Sequence, residues 1–494
     1  MSDSSSSNTS SNDAFSWQVV QSLLYSGIGT TLSKVLNVVA LLFVLKFISA
    51  SAFGIANIVL AIFAILRAIT ELGLGVAIVQ AQNMTRGQID SLFWLSLAVS
   101  GGLFAILLAA SPLFAWFYGE PQLTALVQVY GISIVVFSFY FVPKNLLTKE
   151  MDFGRIVFAE NASLLTSSLV MIALAYYGFG AWAIIVGELG NRLGQLVLFQ
   201  VFRPYWPRWT FDWEAVQSHV SFGLYATGSR LLSNFTSNID YLIVGKAFGP
   251  EAVGVYAIAY RIISDPVRTL VSTINDVAYP AFSRLQDQLE RLRTYFFTIA
   301  RAGLSLIGVV LIIVAVYIGD MLVLGGYDKY LDAVPLIHVF ALVGLVRCVS
   351  PLVPQLLNAV GQARLNFHYQ IVSSVILPTV FLIGAQISLM GMAWSWALGY
   401  PLLAMLLFFF GSRVLETTLR KMVQQIAQGG IILIPVLATG VAVHWVTDTY
   451  LPSYPVISLA IGVLVTLATG LGLAYLRERK TIAVLRGRYS AMDV

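Results

Sequence analysis

The chain has a single cysteine, four histidines and very little charge, and each scarcity closes off a class of function. A lone Cys348 cannot form an intramolecular disulfide, so this is not a disulfide-stapled scaffold. No HExxH, phosphate-binding glycine loop, nucleophile elbow or Cys/His cluster with metal-ligand spacing is present, so nothing in the motifs asks for a metal, a cofactor or a catalytic role. Charged residues make up only 11% of the sequence, against about 25% in an ordinary soluble domain. A surface that poor in charge meets lipid. The net charge of +5 therefore points to basic loops beside a membrane, and no nucleic-acid partner is expected.

What is there instead is apolar length. Hydrophobic residues are 58% of the 494, and mean hydropathy is +0.82. A spanning helix takes about 20 mostly apolar residues. Runs of that kind occur at 23–47, 53–80, 91–117, 123–147, 157–177, 180–202, 217–245, 252–280, 294–318, 334–357, 365–386, 389–411, 427–446 and 455–476. The expectation is an all-α polytopic membrane protein of fourteen transmembrane helices, with no room for an independent soluble domain. The Ser/Asn-rich residues 1–15 have no basic residue and no apolar run; they read as a disordered tail, not a signal peptide.

Orientation follows from Lys and Arg near the helix ends. Eighteen lie on the side holding the termini, including Arg203, Arg208, Arg413, Arg420 and Lys421; only Lys46, Lys246 and Lys329 lie opposite. Both termini are expected in the cytoplasm, with the chain in the inner membrane.

An internal repeat is visible. A shift of 200 residues without a gap places Leu32, Ser33, Lys46, Ala52, Gly54 and Ile58 on Leu232, Ser233, Lys246, Ala252, Gly254 and Ile258. Six helices separate the copies, so both run the same way, which is a transporter design. The expected organisation is a six-helix lobe over 16–210, a second over 211–411, and two further helices with a basic tail over 412–494.

Ten ionisable residues fall at mid-membrane depth: Lys34, Arg67, Glu71, Glu188, Arg192, Arg230, Arg261, Asp265, Arg268 and Arg347. Left bare in lipid they would cost on the order of 25–35 kcal/mol together, so they should face a wet interior. Helical spacing groups Arg261, Asp265, Arg268, Ser272 and Asn275 on one stripe and Arg230, Ser233, Asn234 and Ser237 on another. Arg67–Glu71 and Glu188–Arg192 are spaced for ion pairs, and Asp265 can serve Arg261 or Arg268. Glu71, Glu188, Arg192 and Asp265 are thus coupling or ion-pair candidates. Seven bases against three acids leave a cationic surplus. The expected ligand of Lys34, Arg67, Arg230, Arg261, Arg268 and Arg347 is an anion rich in oxygen acceptors, such as a pyrophosphate. Pro266, Pro351, Pro354 and Pro378 are expected to interrupt helices. His338 and His368 could relay protons, or simply bond a neighbour.

Residues 51–80 (SAFGIANIVLAIFAILRAITELGLGVAIVQ), 238–262 (NIDYLIVGKAFGPEAVGVYAIAYRI) and 277–293 (VAYPAFSRLQDQLERLR) resemble bacterial polysaccharide transporters. The family is the oligosaccharide flippases of the multidrug/oligosaccharidyl-lipid/polysaccharide exporter superfamily, in particular its colanic acid and exopolysaccharide branch. The resemblance implies two six-helix lobes plus two helices, and movement of undecaprenyl-pyrophosphate-linked repeat units across the inner membrane. Such a lipid-linked oligosaccharide carries the anion that the charge surplus asks for; a polysaccharide polymerase and a chain-length regulator would be its partners. The rival readings are a lipid-linked peptidoglycan precursor flippase, a multidrug/cation antiporter and, from another class, a membrane glycosyl polymerase or ligase.

Overall fold

A computed structural model describes residues 36–71, 74–80 and 84–485. The described residues form helices and no strand. In chain order these are α1 (36–47), α2 (Ala50–Glu71), α3 (Leu74–Gln80), α4 (Arg86–Tyr118), α5 (Gln122–Lys149), α6 (Phe153–Tyr176), α7 (Ala181–Phe202) and α8 (Trp213–Leu285). They continue as α9 (Leu289–Gly325), α10 (Val334–Arg347), α11 (Leu352–Ala359), α12 (Ala363–Ala385), α13 (Leu389–Val414), α14 (Leu419–Gly430), α15 (Leu433–Tyr450) and α16 (Pro455–Leu485). Eleven helical stretches among the described residues are long and apolar enough to cross a membrane.

The apolar runs and the helices coincide along the described chain, with informative departures. The first expected span, 23–47, is described only from residue 36, so Lys34 lies outside the described residues. The helix at 180–202 forms as α7 but carries Glu188 and Arg192 and is not among the eleven. Two expected helices run together as α8, which breaks at Gly249 (φ 83°, ψ 174°), a backbone that only glycine adopts cheaply. Pro351 stands at the break between α10 and α11, whereas Pro266 and Pro378 sit inside helices that continue through them.

By compactness the chain divides into two units, one ending at Gly254 and the other starting at Val255. In the first, α4 packs on α5, α6 on α7 and α5 on α7. A serine ladder joins α4 to α5, Ser96 to Ser138 at 3.2 Å and Ser138 to Ser100 at 3.0 Å, the kind of polar contact that holds helices together where no hydrophobic driving force exists between them. The turn from α1 into α2 falls at residues 48–49 and the break in α8 at Gly249, so both copies of the repeat turn at the same register. Gly54 and Gly254 meet there. A β-carbon on Gly54 would run into the carbonyl oxygen of Pro250, and one on Gly254 into that of Ala50. Each partner is itself the other's counterpart in the 200-residue shift.

In the second unit α12 packs on α13, α10 on α13, and α14, α15 and α16 each on α9. Tyr317 of α9 fastens the last two helices. Its hydroxyl lies 3.1 Å from the Gly440 carbonyl and 3.0 Å from Thr466 Oγ1. Lower on α9, Ser305 donates to the Gly429 carbonyl at 2.9 Å, and Gly429 sits against the Arg301 backbone. α14 was not anticipated as a separate element. Thr418 caps its start, and its polar and apolar residues divide onto opposite faces.

Candidate functional site

The charges expected at mid-membrane depth gather in each unit separately. In the first, Glu71 closes α2 and receives two guanidiniums: Arg67 Nε at 3.0 Å on Oε1 and Arg230 Nη1 at 3.1 Å on Oε2. Arg67 is one turn back on the same helix, as its spacing requires. Arg230 comes from 159 residues away. Helical spacing alone offers Arg230 no acidic neighbour, and the fold supplies one. Both arginine side chains remain about half exposed, at 52% and 54%, against 25% for Glu71, so the triad keeps one surplus positive charge within reach of water.

Beside it lies a cavity of about 40 Å³ lined by Arg67, Thr70, Ser133, Tyr140 and Arg192, among others. Arg192 donates to the Tyr140 hydroxyl at 3.4 Å. Glu188, one turn earlier on α7, is half-buried and still acts on Arg192 through its charge, while the hydrogen bond of Arg192 goes to a phenol on α5.

The second unit holds the larger polar cavity, about 290 Å³. Arg268 and Arg347 both line it, with Tyr260, Ser264, Ser272, Asn275 and Tyr400. Arg347 ends α10, where its charge also suits the helix C-terminus. It donates to Tyr260 Oη at 2.6 Å and Ser264 Oγ at 3.3 Å. Its guanidinium stacks 5.2, 4.8 and 5.3 Å from the ring centres of Tyr260, Trp396 and Tyr400. The cage is braced in turn: Trp396 Nε1 donates to Tyr256 Oη at 2.9 Å, and Tyr400 Oη lies 2.8 Å from Ser350 Oγ. Asn275 presents a buried Oδ1 with no partner among the described residues. No carboxylate lines this cavity among the described residues.

The polar stripe on α8 is therefore Tyr260–Ser264–Arg268–Ser272, a run of four-residue steps. Arg261 and Asp265, expected on that stripe, are half-buried one position round the helix and do not line the cavity. Tyr260, Ser264 and Tyr400 were missed because no charge marks them. The i, i+4 spacing of Tyr260 and Ser264 with Arg268 was the available signal. Chemically the cavity can hold an anion by two guanidiniums while hydroxyls and an amide meet further oxygens.

Outside the spans, Tyr205 ties the loop after α7 to Asp90 by a short hydrogen bond from its hydroxyl. Burial first, and this bond second, hold the phenol well above its ordinary range.

Residues 43–335 match the family described as "Polysaccharide biosynthesis protein". The chain belongs to this family. Among similar family proteins, the teichuronic acid biosynthesis protein TuaB of Bacillus subtilis (strain 168) is 27% identical over 67% of this chain and 69% of its own. The lipopolysaccharide biosynthesis protein WzxC of Escherichia coli (strain K12) is 24% identical over 74% of each. The fold of this polysaccharide biosynthesis family member is like that of the lipid II flippase MurJ in an inward closed conformation, with TM-score 0.68 and 14% identity over 93% of this chain and 100% of that one. It is also like an inward-facing multidrug resistance MATE family transporter of the MOP superfamily, with TM-score 0.63 and 16% identity over 78% and 96%. Family and spans together make this a multi-pass membrane protein.

Proposed function

We propose that this protein is a flippase that carries undecaprenyl-pyrophosphate-linked oligosaccharide repeat units across the bacterial inner membrane for exopolysaccharide or lipopolysaccharide synthesis. It would do so by alternating access, as a fourteen-helix protein with two six-helix lobes and both termini in the cytoplasm. The observation that carries this reading is the pair Arg268 and Arg347 on a 290 Å³ cavity among otherwise apolar helices. Guanidiniums present paired donors that match phosphate oxygens, and a low-dielectric surround strengthens each contact. The hydroxyls and the Asn275 amide beside them are partners suited to sugar or further phosphate oxygens. Arg67, Arg230 and the surplus charge of the first unit offer the pyrophosphate a second station, with Lys34 and Arg261 as further candidates.

A cation antiporter would need carboxylates where this cavity has arginines. Leaving a negative interior, a dianion gains about 4–5 kcal/mol at 100 mV, at about 2.3 kcal/mol per charge. The membrane potential can therefore drive export, and Glu71 or Asp265 could add coupling to an ion.

The test is export in cells carrying Arg268→Ala or Arg347→Ala. Polysaccharide output should fall at least tenfold while lipid-linked repeat units accumulate and the protein inserts in normal amount. Undiminished export in both variants would remove the cavity from the mechanism.

A further inference from the structure

The second unit contains a larger cavity that the transport reading does not use. It is an apolar groove of about 670 Å³ between α9, α10, α13, α14 and α15. Leu304 and Ala315 mark its extent on α9, and Phe408, Val423 and Leu437 line it from the other helices. From Leu304 to Ala315 is about 16 Å at 1.5 Å per residue, close to the ~15 Å depth of one leaflet of a bilayer's hydrocarbon core. At the far end His338 is engaged, its Nε2 lying 2.9 Å from the Ala315 carbonyl oxygen.

The near end is different in charge. α13 continues past Phe408 for about one and a half turns to Arg413, and α14 begins with Arg420 and Lys421 just before Val423. All three cations are exposed. Arg413 lies over the ring of Phe409 at 4.5 Å, and among the described residues none of the three forms an ion pair. Glu416, between them in sequence, is also exposed, and its carbonyl oxygen accepts from Arg293 at 3.1 Å. The segment 413–421 thus keeps a net charge of +2. α14 itself, polar on one face and apolar on the other, is a helix suited to lie at a membrane surface.

We propose that this groove is a binding site for an anionic phospholipid, one acyl chain lying along α9 and the headgroup phosphate held by Arg413, Arg420 and Lys421. Three features select that occupant: an apolar slot one leaflet deep, a basic cluster at one end only, and an amphipathic helix that forms both wall and rim. A long polyprenyl chain would overrun a slot of this depth. The bound lipid would cement α14 and α15 to α9 and hold the last two helices in place. The inference stands apart from the transport reading, since none of the residues proposed to hold cargo lines the groove.

The experiment uses the full chain in detergent, titrated with phosphatidylglycerol or with phosphatidylcholine of identical acyl chains, with retained lipid counted by native mass spectrometry. The wild type should retain phosphatidylglycerol in clear preference to phosphatidylcholine. Each lost cation should weaken phosphatidylglycerol about fivefold, and Arg413→Gln, Arg420→Gln and Lys421→Gln together about a hundredfold. Ala427→Phe, which fills the groove without touching the charges, should displace the same lipid; it also keeps the test decisive should the triple variant fail to fold. Equal retention by wild type and both variants overturns the proposal. So does equal retention of the two lipids, or a polyprenyl diphosphate that displaces phosphatidylglycerol from the wild type.

Discussion

Gly54 and Gly254 lie against each other's helices at equivalent points of the 200-residue repeat, each with a main-chain carbonyl where a side chain would go. Contact this close needs glycine on both sides, because backbone, unlike a side-chain tip, cannot swing away. The prediction is that Gly54→Ala and Gly254→Ala each cost about 1–3 kcal/mol by forcing the helices apart, and that the double variant costs less than the sum because the first separation relieves the second. Thermal unfolding of the purified proteins checks both statements.

Glu71→Gln should leave stability nearly unchanged, within about 1 kcal/mol, since half-exposed ion pairs contribute little. Its effect should fall on binding. With the carboxylate gone, Arg67 and Arg230 are both available, and affinity for inorganic pyrophosphate should rise and depend more steeply on salt. Titration calorimetry at two ionic strengths measures this.

Arg347→Lys should behave almost like Arg347→Ala in export. The three rings around Arg347 are fitted to a flat guanidinium, and a lysine ammonium keeps the charge but not the plane. Export equal to wild type in the lysine variant would show that charge alone suffices.

Tyr205→Phe removes the hydroxyl that Asp90 accepts from and leaves a fully buried carboxylate with one oxygen already lacking a partner. A loss of about 1–3 kcal/mol is expected. Because the folded state holds the phenol proton more tightly than the unfolded chain, whose tyrosines titrate near 10, this contribution is complete below about pH 10 and declines as pH rises above it. Alkaline unfolding should therefore be shallower in Tyr205→Phe than in the wild type.

The helices and the turn shared by the repeats were legible because each rests on local chemistry: apolar runs of spanning length, and a Lys-x5-Ala-x-Gly spacing in two places. The partners of the charges were legible only where they share a helix, as Arg67 and Glu71 do. Arg230 reaching Glu71, or Arg192 donating to Tyr140, depends on which faces pack, and a single sequence does not carry that. The cage around Arg347 was hidden for another reason. Its members Tyr260, Trp396 and Tyr400 are amphipathic, and in an apolar helix such residues read as interfacial or packing positions until a cation is placed over them. α14 escaped because a short helix this polar does not register as an apolar run.

The shared carboxylate of Glu71 has a further consequence for the proposed cycle. Two arginines that share a tethered counter-ion are partly neutralised when cargo is absent, so under the proposed function an arriving phosphate would exchange with a resident anion. On departure of the proposed cargo the same carboxylate would compete again for the guanidiniums and so favour release. A placeholder of this kind lets the site hold its cargo firmly enough to select it, yet loosely enough to turn over.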